Sequence, residues 1–111
     1  MVKFETNFQK FPAGNGIKEG SELLVKVVGA EVVTGQIRDA ANRIITIDQS
    51  HSKDEDNDAS TINMKLKRKG RGWGIFRRKY NLPPGKYILI VWYFDYDTMK
   101  GGSYTDKFLI V

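Results

Sequence analysis

Cysteine is absent from the 111 residues. A disulfide framework, a thiolate zinc site and a cysteine nucleophile are therefore excluded, and nothing marks an oxidising compartment. Histidine is almost absent too: His51 stands alone in the polar segment DQSHSKD. It has neither a cysteine nor a second histidine to complete a metal site or a nucleophile pair, and a general base needs a cleft and a partner. Ser50 and Ser52 flank it too closely to act as a relay, so a solvated loop histidine is expected there. Long apolar runs are missing as well. No window approaches the roughly 20 apolar residues of a membrane span, and MVKFETNFQKF at the start lacks an apolar stretch of signal-peptide length. The expected product is cytoplasmic when synthesised and has no membrane partner. No segment carries a credible helical periodicity.

What is present is the makeup of one folded domain spanning 1–111: 41% hydrophobic residues, 28% charged, and thirteen aromatics that argue against disorder. The dominant pattern is period two. Ile62, Met64 and Leu66 alternate with Asn63, Lys65 and Lys67, giving one apolar and one basic face. Leu23 to Val28, Ile44 to Asp48, Tyr87 to Phe94 and Tyr104 to Val111 are rich in β-branched and aromatic residues and end in turn formers. Fainter strands are expected at Lys3 to Phe8, Val32 to Arg38 and Ile75 to Tyr80. Seven or eight strands at this spacing predict an all-β, antiparallel sandwich or barrel, of which the sandwich is the expected form. The run YILIVWYF (Tyr87 to Phe94) is apolar on both parities. That strand is expected to be central and covered on both faces, or to have one face at an interface.

Turn chemistry divides these strands. PAGNG (Pro12 to Gly16) and Gly20 break the chain early, DAAN (Asp39 to Asn42) suits a hairpin loop, and Gly70 and Gly72 frame another hairpin. LPPG (Leu82 to Gly85) places Pro84 and Gly85 at the centres of an expected type II turn. LPPGKYILIVWY (Leu82 to Tyr93) resembles the corner before the penultimate strand of immunoglobulin-like and fibronectin-type sandwiches, with Tyr87 as its tyrosine. VTGQIRDAANRII (Val33 to Ile45) and GWGIFRRKYNLPPGKY (Gly72 to Tyr87) are similar to carboxypeptidase-regulatory-like domains. The resemblance implies an immunoglobulin-like β-sandwich and a non-catalytic binding or assembly module, although fold alone does not fix function.

Charge is unevenly placed. Met64 to Tyr80 holds eight basic residues and no acid, so this run carries +8, the remainder −3, and the whole +5. Lys67, Arg68, Lys69, Arg71, Arg77 and Arg78 are interleaved with Trp73, Phe76 and Tyr80. Cations among rings suit a polyanion or a single-stranded nucleic acid, with cations for phosphate and rings for stacking, and a protein or assembly contact is the other functional reading. The plainer reading makes Lys65 and Lys67 the solvated face of a strand. With Tyr96, the residues Lys67, Arg68, Lys69, Arg71, Trp73, Arg77 and Arg78 form the expected binding set. KDEDND (Lys53 to Asp58) is the acidic counterpart, expected as a solvated loop. Counted from Asp54, an EF-hand would need glycine and glutamate where Ala59 and Lys65 stand, which leaves only an irregular calcium site open.

GRGWG (Gly70 to Gly74) lacks the Lys-Ser/Thr of a phosphate loop and reads as a hairpin tip. Asp95 and Asp97 read as loop acids or partners to the arginines, since a single small sandwich offers little room for a glycosidase cleft. If each strand crosses the sandwich, the basic tip at 67–72 and the loop FDYDTMKGG (Phe94 to Gly102) share an end, with the acidic segment 49–60 at the other. No catalytic residue, cofactor or metal ligand is assigned. Small one-domain sandwiches of this kind resemble auxiliary or decoration subunits of phage particles. The expected function is therefore a structural or interaction module whose partners are a protein scaffold or copies of itself, on a virion if phage-encoded. The alternative is a carbohydrate- or polyanion-binding module using the aromatics Trp73, Trp92, Tyr93 and Tyr96. Trp92 and Tyr93 point to opposite faces of one strand, so only one can serve a given surface.

Overall fold

The computed structural model describes residues 2–69 and 79–111. Twelve strand segments occur among them: β1 (Lys3–Thr6), β2 (Gln9–Phe11), β3 (Gly14–Ile17), β4 (Glu22–Val28), β5 (Glu31–Asp39), β6 (Ile44–Ile45), β7 (Gln49–Asp54), β8 (Ala59–Lys65), β9 (Lys67–Lys69), β10 (Lys79–Asn81), β11 (Gly85–Asp95) and β12 (Lys100–Ile110). The described residues contain no helix, so the chain is all-β. A four-stranded sheet runs β1-β4-β8-β7, a six-stranded sheet β2-β3-β12-β11-β5-β6, and β9 and β10 form a separate ribbon. The two larger sheets share one core, an arrangement compatible with a β-sandwich. The antiparallel expectation needs one correction, because β3 runs parallel to β12. PAGNG, expected only to break the chain, supplies the first residues of that strand.

Alternation builds the core. Leu23, Val25 and Val27 of β4 and Ile62 and Met64 of β8 face Tyr87, Leu89 and Val91 of β11 and Phe108 and Ile110 of β12, all buried. The sheets approach tightly at Gly35 on β5, where an added Cβ would stand 2.9 Å from Ile62 Cδ1 and 3.0 Å from Met64 Sδ. Aromatic rings close one side: Phe4 of β1 stacks on Tyr104 of β12 at 4.4 Å between centroids and meets Tyr93 edge-on at 5.3 Å. On the other side the buried Ser60 hydroxyl accepts from the Val32 amide at 2.8 Å and donates to the Ala30 carbonyl at 3.3 Å. That side chain stitches β8 to the start of β5.

Three expectations change in detail. β5 does not alternate cleanly, because Val33 is an extra residue between Thr34, which pairs with Trp92, and Val32, which pairs with Tyr93. This bulge reverses the parity, so Val32 points inward along with Gly35 and Ile37. The strand expected over Ile44 to Asp48 reduces to Ile44–Ile45. Segment 49–54, expected as loop, is instead strand β7, exposed at every residue and paired along its length with β8. His51 therefore sits on an edge strand opposite Ile62 rather than in a loop. Asp39 closes the β5–β6 hairpin by accepting from the amides of Ala41 and Arg43, with Asn42 at φ 64°. Gly85 takes φ 157°, far from the roughly 80° of a type II turn, so LPPG feeds an extended strand rather than closing that turn.

The hydroxyl of Tyr87 donates to the Pro83 carbonyl at 2.7 Å, clamping the entry to β11. Leu66 and Leu82, both 1% exposed, bracket the ribbon, and the Leu82 amide donates to the Leu66 carbonyl at 2.9 Å. The chain thus leaves the core after β8 and re-enters it before β11 at one point.

The approach at Gly35 predicts that Gly35→Val forces Ile62 and Met64 from their positions and lowers stability by about 1–3 kcal/mol. Urea unfolding followed by far-ultraviolet circular dichroism reads this as an earlier midpoint. A midpoint equal to that of the parent contradicts the close approach.

Candidate interaction surfaces

Strand register decides which loops meet. Lys65 pairs with Glu22 and Ala59 with Val28, so β8 runs from the end carrying the turn at Asp54–Asp58 to the end carrying Leu66. β11 then returns from Gly85, beside Leu82, to Asp95. The loop at 95–99 therefore lies beside the acidic turn, and the base of the basic ribbon lies at the opposite end. The expectation that the basic tip and FDYDTMKGG share an end fails for the tip's described residues, Lys67–Lys69, and 70–72 lie outside the described residues. β9 and β10 pair only with each other and do not cross the sandwich, so counting them as crossings reversed the parity.

At the basic end, Lys67 pairs with Asn81 and Arg68 with Tyr80. Lys67, Arg68 and Tyr80 are exposed, and neither cation forms an ion pair among the described residues. Lys69 ends β9, paired with Lys79. Arg71, Trp73, Arg77 and Arg78, named in the expected binding set, lie outside the described residues. Tyr96, the remaining member, is 61% exposed at the far end, the length of β11 away.

The acidic end gathers three connections. The Gly29 amide donates to the Asp58 carbonyl at 2.8 Å, joining the β4–β5 turn to the β7–β8 turn. A recess there is lined by Glu31, Lys53, Asp58, Asp95, Tyr96 and Asp97, with neighbouring small residues. Its carboxylates are partly engaged. Glu31 stands 3.9 Å from Lys53 Nζ, and a hydrogen bond to Glu31 is the main reason the Tyr96 hydroxyl is pushed above its ordinary pKa. Asp95 accepts from the Asp97 amide at 3.0 Å. Asp54 accepts from the Asn57 side chain at 2.7 Å, and that bond is the main influence holding its carboxyl below the usual value. Among the described residues no three acids or histidines gather in a group able to hold a metal ion.

A third surface lies on the outer face of the six-stranded sheet. Tyr87, Leu89 and Val91 of β11 face the core, and Ile88, Ile90 and Trp92 project from the other side, half-buried. Trp92 pairs with Thr34 on β5 and Ser103 on β12, and Phe94 pairs with Gly101. A shallow groove results, lined by Val33, Thr34, Trp92, Phe94, Gly101 and Ser103, with backbone between them. Tyr93 packs inward on the core, so Trp92 and Tyr93 do divide between the faces. Neither a known protein family nor a curated protein sequence matches the chain. Thr34, Ser103 and Gly101 were invisible in the sequence, because only the strand register brings them beside Trp92 and Phe94.

Asp39 and Asp54 supply a pH prediction. Amide donation from Arg43 is the main influence lowering the Asp39 carboxyl, as Asn57 lowers Asp54, each below the ordinary 3.8. A carboxyl depressed on folding contributes stability above its unfolded value, and that contribution is lost as pH falls through the folded value. Urea midpoints should therefore hold steady down to about pH 4 and fall below it. Asp39→Asn with Asp54→Asn should flatten that fall, and an unchanged slope contradicts the assignment.

Proposed function

We propose that the protein is a non-catalytic interaction module, an auxiliary subunit that seats its basic ribbon on an acidic protein surface of a larger assembly such as a phage particle. The observation that carries this reading is the separation of charge along the molecule. Among the described residues Lys67 and Arg68 stand at one end without an ion pair, and the turns bearing Asp54, Glu55, Asp56, Asp58, Asp95 and Asp97 stand at the other. Opposed charged ends favour heterologous, head-to-tail contacts, because a neighbour's acidic end complements the basic one. Exposed cations at a protruding ribbon also raise encounter rates with an acidic partner while adding little to the stability of the fold itself.

We propose further that the sandwich is immunoglobulin-like. Support comes from the Tyr87 hydroxyl on the Pro83 carbonyl, the bond of a tyrosine corner.

Light scattering on the purified protein tests the contact. The mass should rise above that of the monomer at about 20 mM salt and return to it at about 0.5 M, where surface charge is screened. Lys67→Glu with Arg68→Glu should hold the protein monomeric at both. A monomer at low salt rules out docking between copies, and an unchanged low-salt mass in the double variant rules out the ribbon as the contact.

A further inference from the structure

We infer that the groove on the outer face of the six-stranded sheet, at Trp92, Phe94 and Gly101, binds a neutral glycan by ring stacking. The inference is independent of the basic ribbon, which lies at the other end of β11.

Two adjacent glycines carry the first step. Gly102 has a structural reason to be glycine, because its missing Cβ would collide with the ring and hydroxyl of the inward-facing Tyr93. Gly101 has none. Its φ is not left-handed, and an added Cβ would meet only the Tyr93 carbonyl at 3.5 Å and Phe94 Cδ2 at 3.9 Å, ordinary contacts. Glycine inside a strand weakens it, and where neither backbone nor packing requires one, the open space suits close approach by a ligand. Here that space lies beside the Phe94 ring, on the same face as Trp92. On the opposite flank the β5 bulge presents Val33, 58% exposed, as the groove's other wall.

The chemistry of the lining selects the occupant. None of the groove residues is charged, in a chain that is 28% charged. An anionic or cationic ligand therefore finds no counter-charge. An extended peptide finds no free sheet edge at the centre of the groove, because β11 is hydrogen-bonded on both sides. Two half-buried rings are flanked by two hydroxyls. Ser103 makes no side-chain hydrogen bond among the described residues, and the Thr34 hydroxyl meets only Gln49 Nε2 at 3.5 Å. Apolar ring faces between hydroxyl donors match a pyranose, whose C–H face is apolar and whose rim is polar.

The test uses the full chain carrying Trp73→Phe, so that Trp92 is the sole tryptophan reporter. It is titrated with cellohexaose, chitohexaose and maltohexaose up to about 10 mM, the range of weak single-site binding. At least one should change Trp92 emission saturably, with the same midpoint in about 0.5 M salt. Gly101→Val fills the groove with a residue that favours strands, so it should keep or raise the urea midpoint and weaken binding by about tenfold or more. Thr34→Val with Ser103→Ala should weaken it as well, and this variant decides the matter if Gly101→Val fails to fold. No response to any of the three sugars overturns the inference, as does binding that survives both variants. Self-association that is insensitive to salt and is abolished by Gly101→Val would make the face a protein interface and overturn the glycan assignment.

Discussion

The placement of the basic ribbon relative to the loop at 95–99 depends on the closure between Leu66 and Leu82. Both side chains are buried in the shared core, and the Leu82 amide donates to the Leu66 carbonyl. With the two leucines fixed at one point, β9 leaves and β10 returns at the same place, paired with each other. The chain then has only β11 in which to reach the other end, and the acidic turns collect there. Charge separation in this protein is thus a consequence of apolar burial. The lysines and arginines need not attract anything to stand where they do.

Glycine marks the same division between inside and outside. Gly35 exists because two sheets meet over it, Gly102 because Tyr93 lies across it, and Gly16 because Phe11 and the Leu109 carbonyl crowd its Cβ position. Each serves the packing of the fold. Gly101 serves none of it, and it lies where an outward tryptophan and phenylalanine line an uncharged groove. The inner face of β11 is consumed by the core and its outer face remains available, which accounts for a strand apolar on both parities. Of the two explanations for that pattern, complete coverage does not apply among the described residues, since Ile88, Ile90 and Trp92 stay partly exposed.

Much of the fold was legible in the sequence where burial alternates. Ile62 and Met64 announced β8, and the apolar run from Tyr87 announced β11. Other parts were hidden for identifiable reasons. QSHSKD at β7 has no buried residue, so an edge strand held only by backbone pairing leaves no hydrophobic trace. β5 was faint because Val33 shifts its parity midway. The ends were misassigned because a short ribbon such as β9–β10 has the turn signals of a spanning hairpin, and periodicity does not report whether a strand crosses the core. The groove residues were hidden more deeply still. Thr34, Trp92 and Ser103 are far apart in the chain, and only register joins them.

The two ends stand where the Leu66–Leu82 closure and the β4–β8 register put them. Since the chain has no cysteine, pairs of introduced cysteines can carry spin labels for pulsed dipolar distance measurement without interference. Labels at Lys67→Cys and Asp97→Cys should lie on the order of 30 Å or more apart, from the eleven residues of β11 at about 3.3 Å each. Labels at Asp56→Cys and Asp97→Cys should lie much closer together. A 67–97 distance shorter than the 56–97 distance would place the basic ribbon beside the acidic loop and contradict the account.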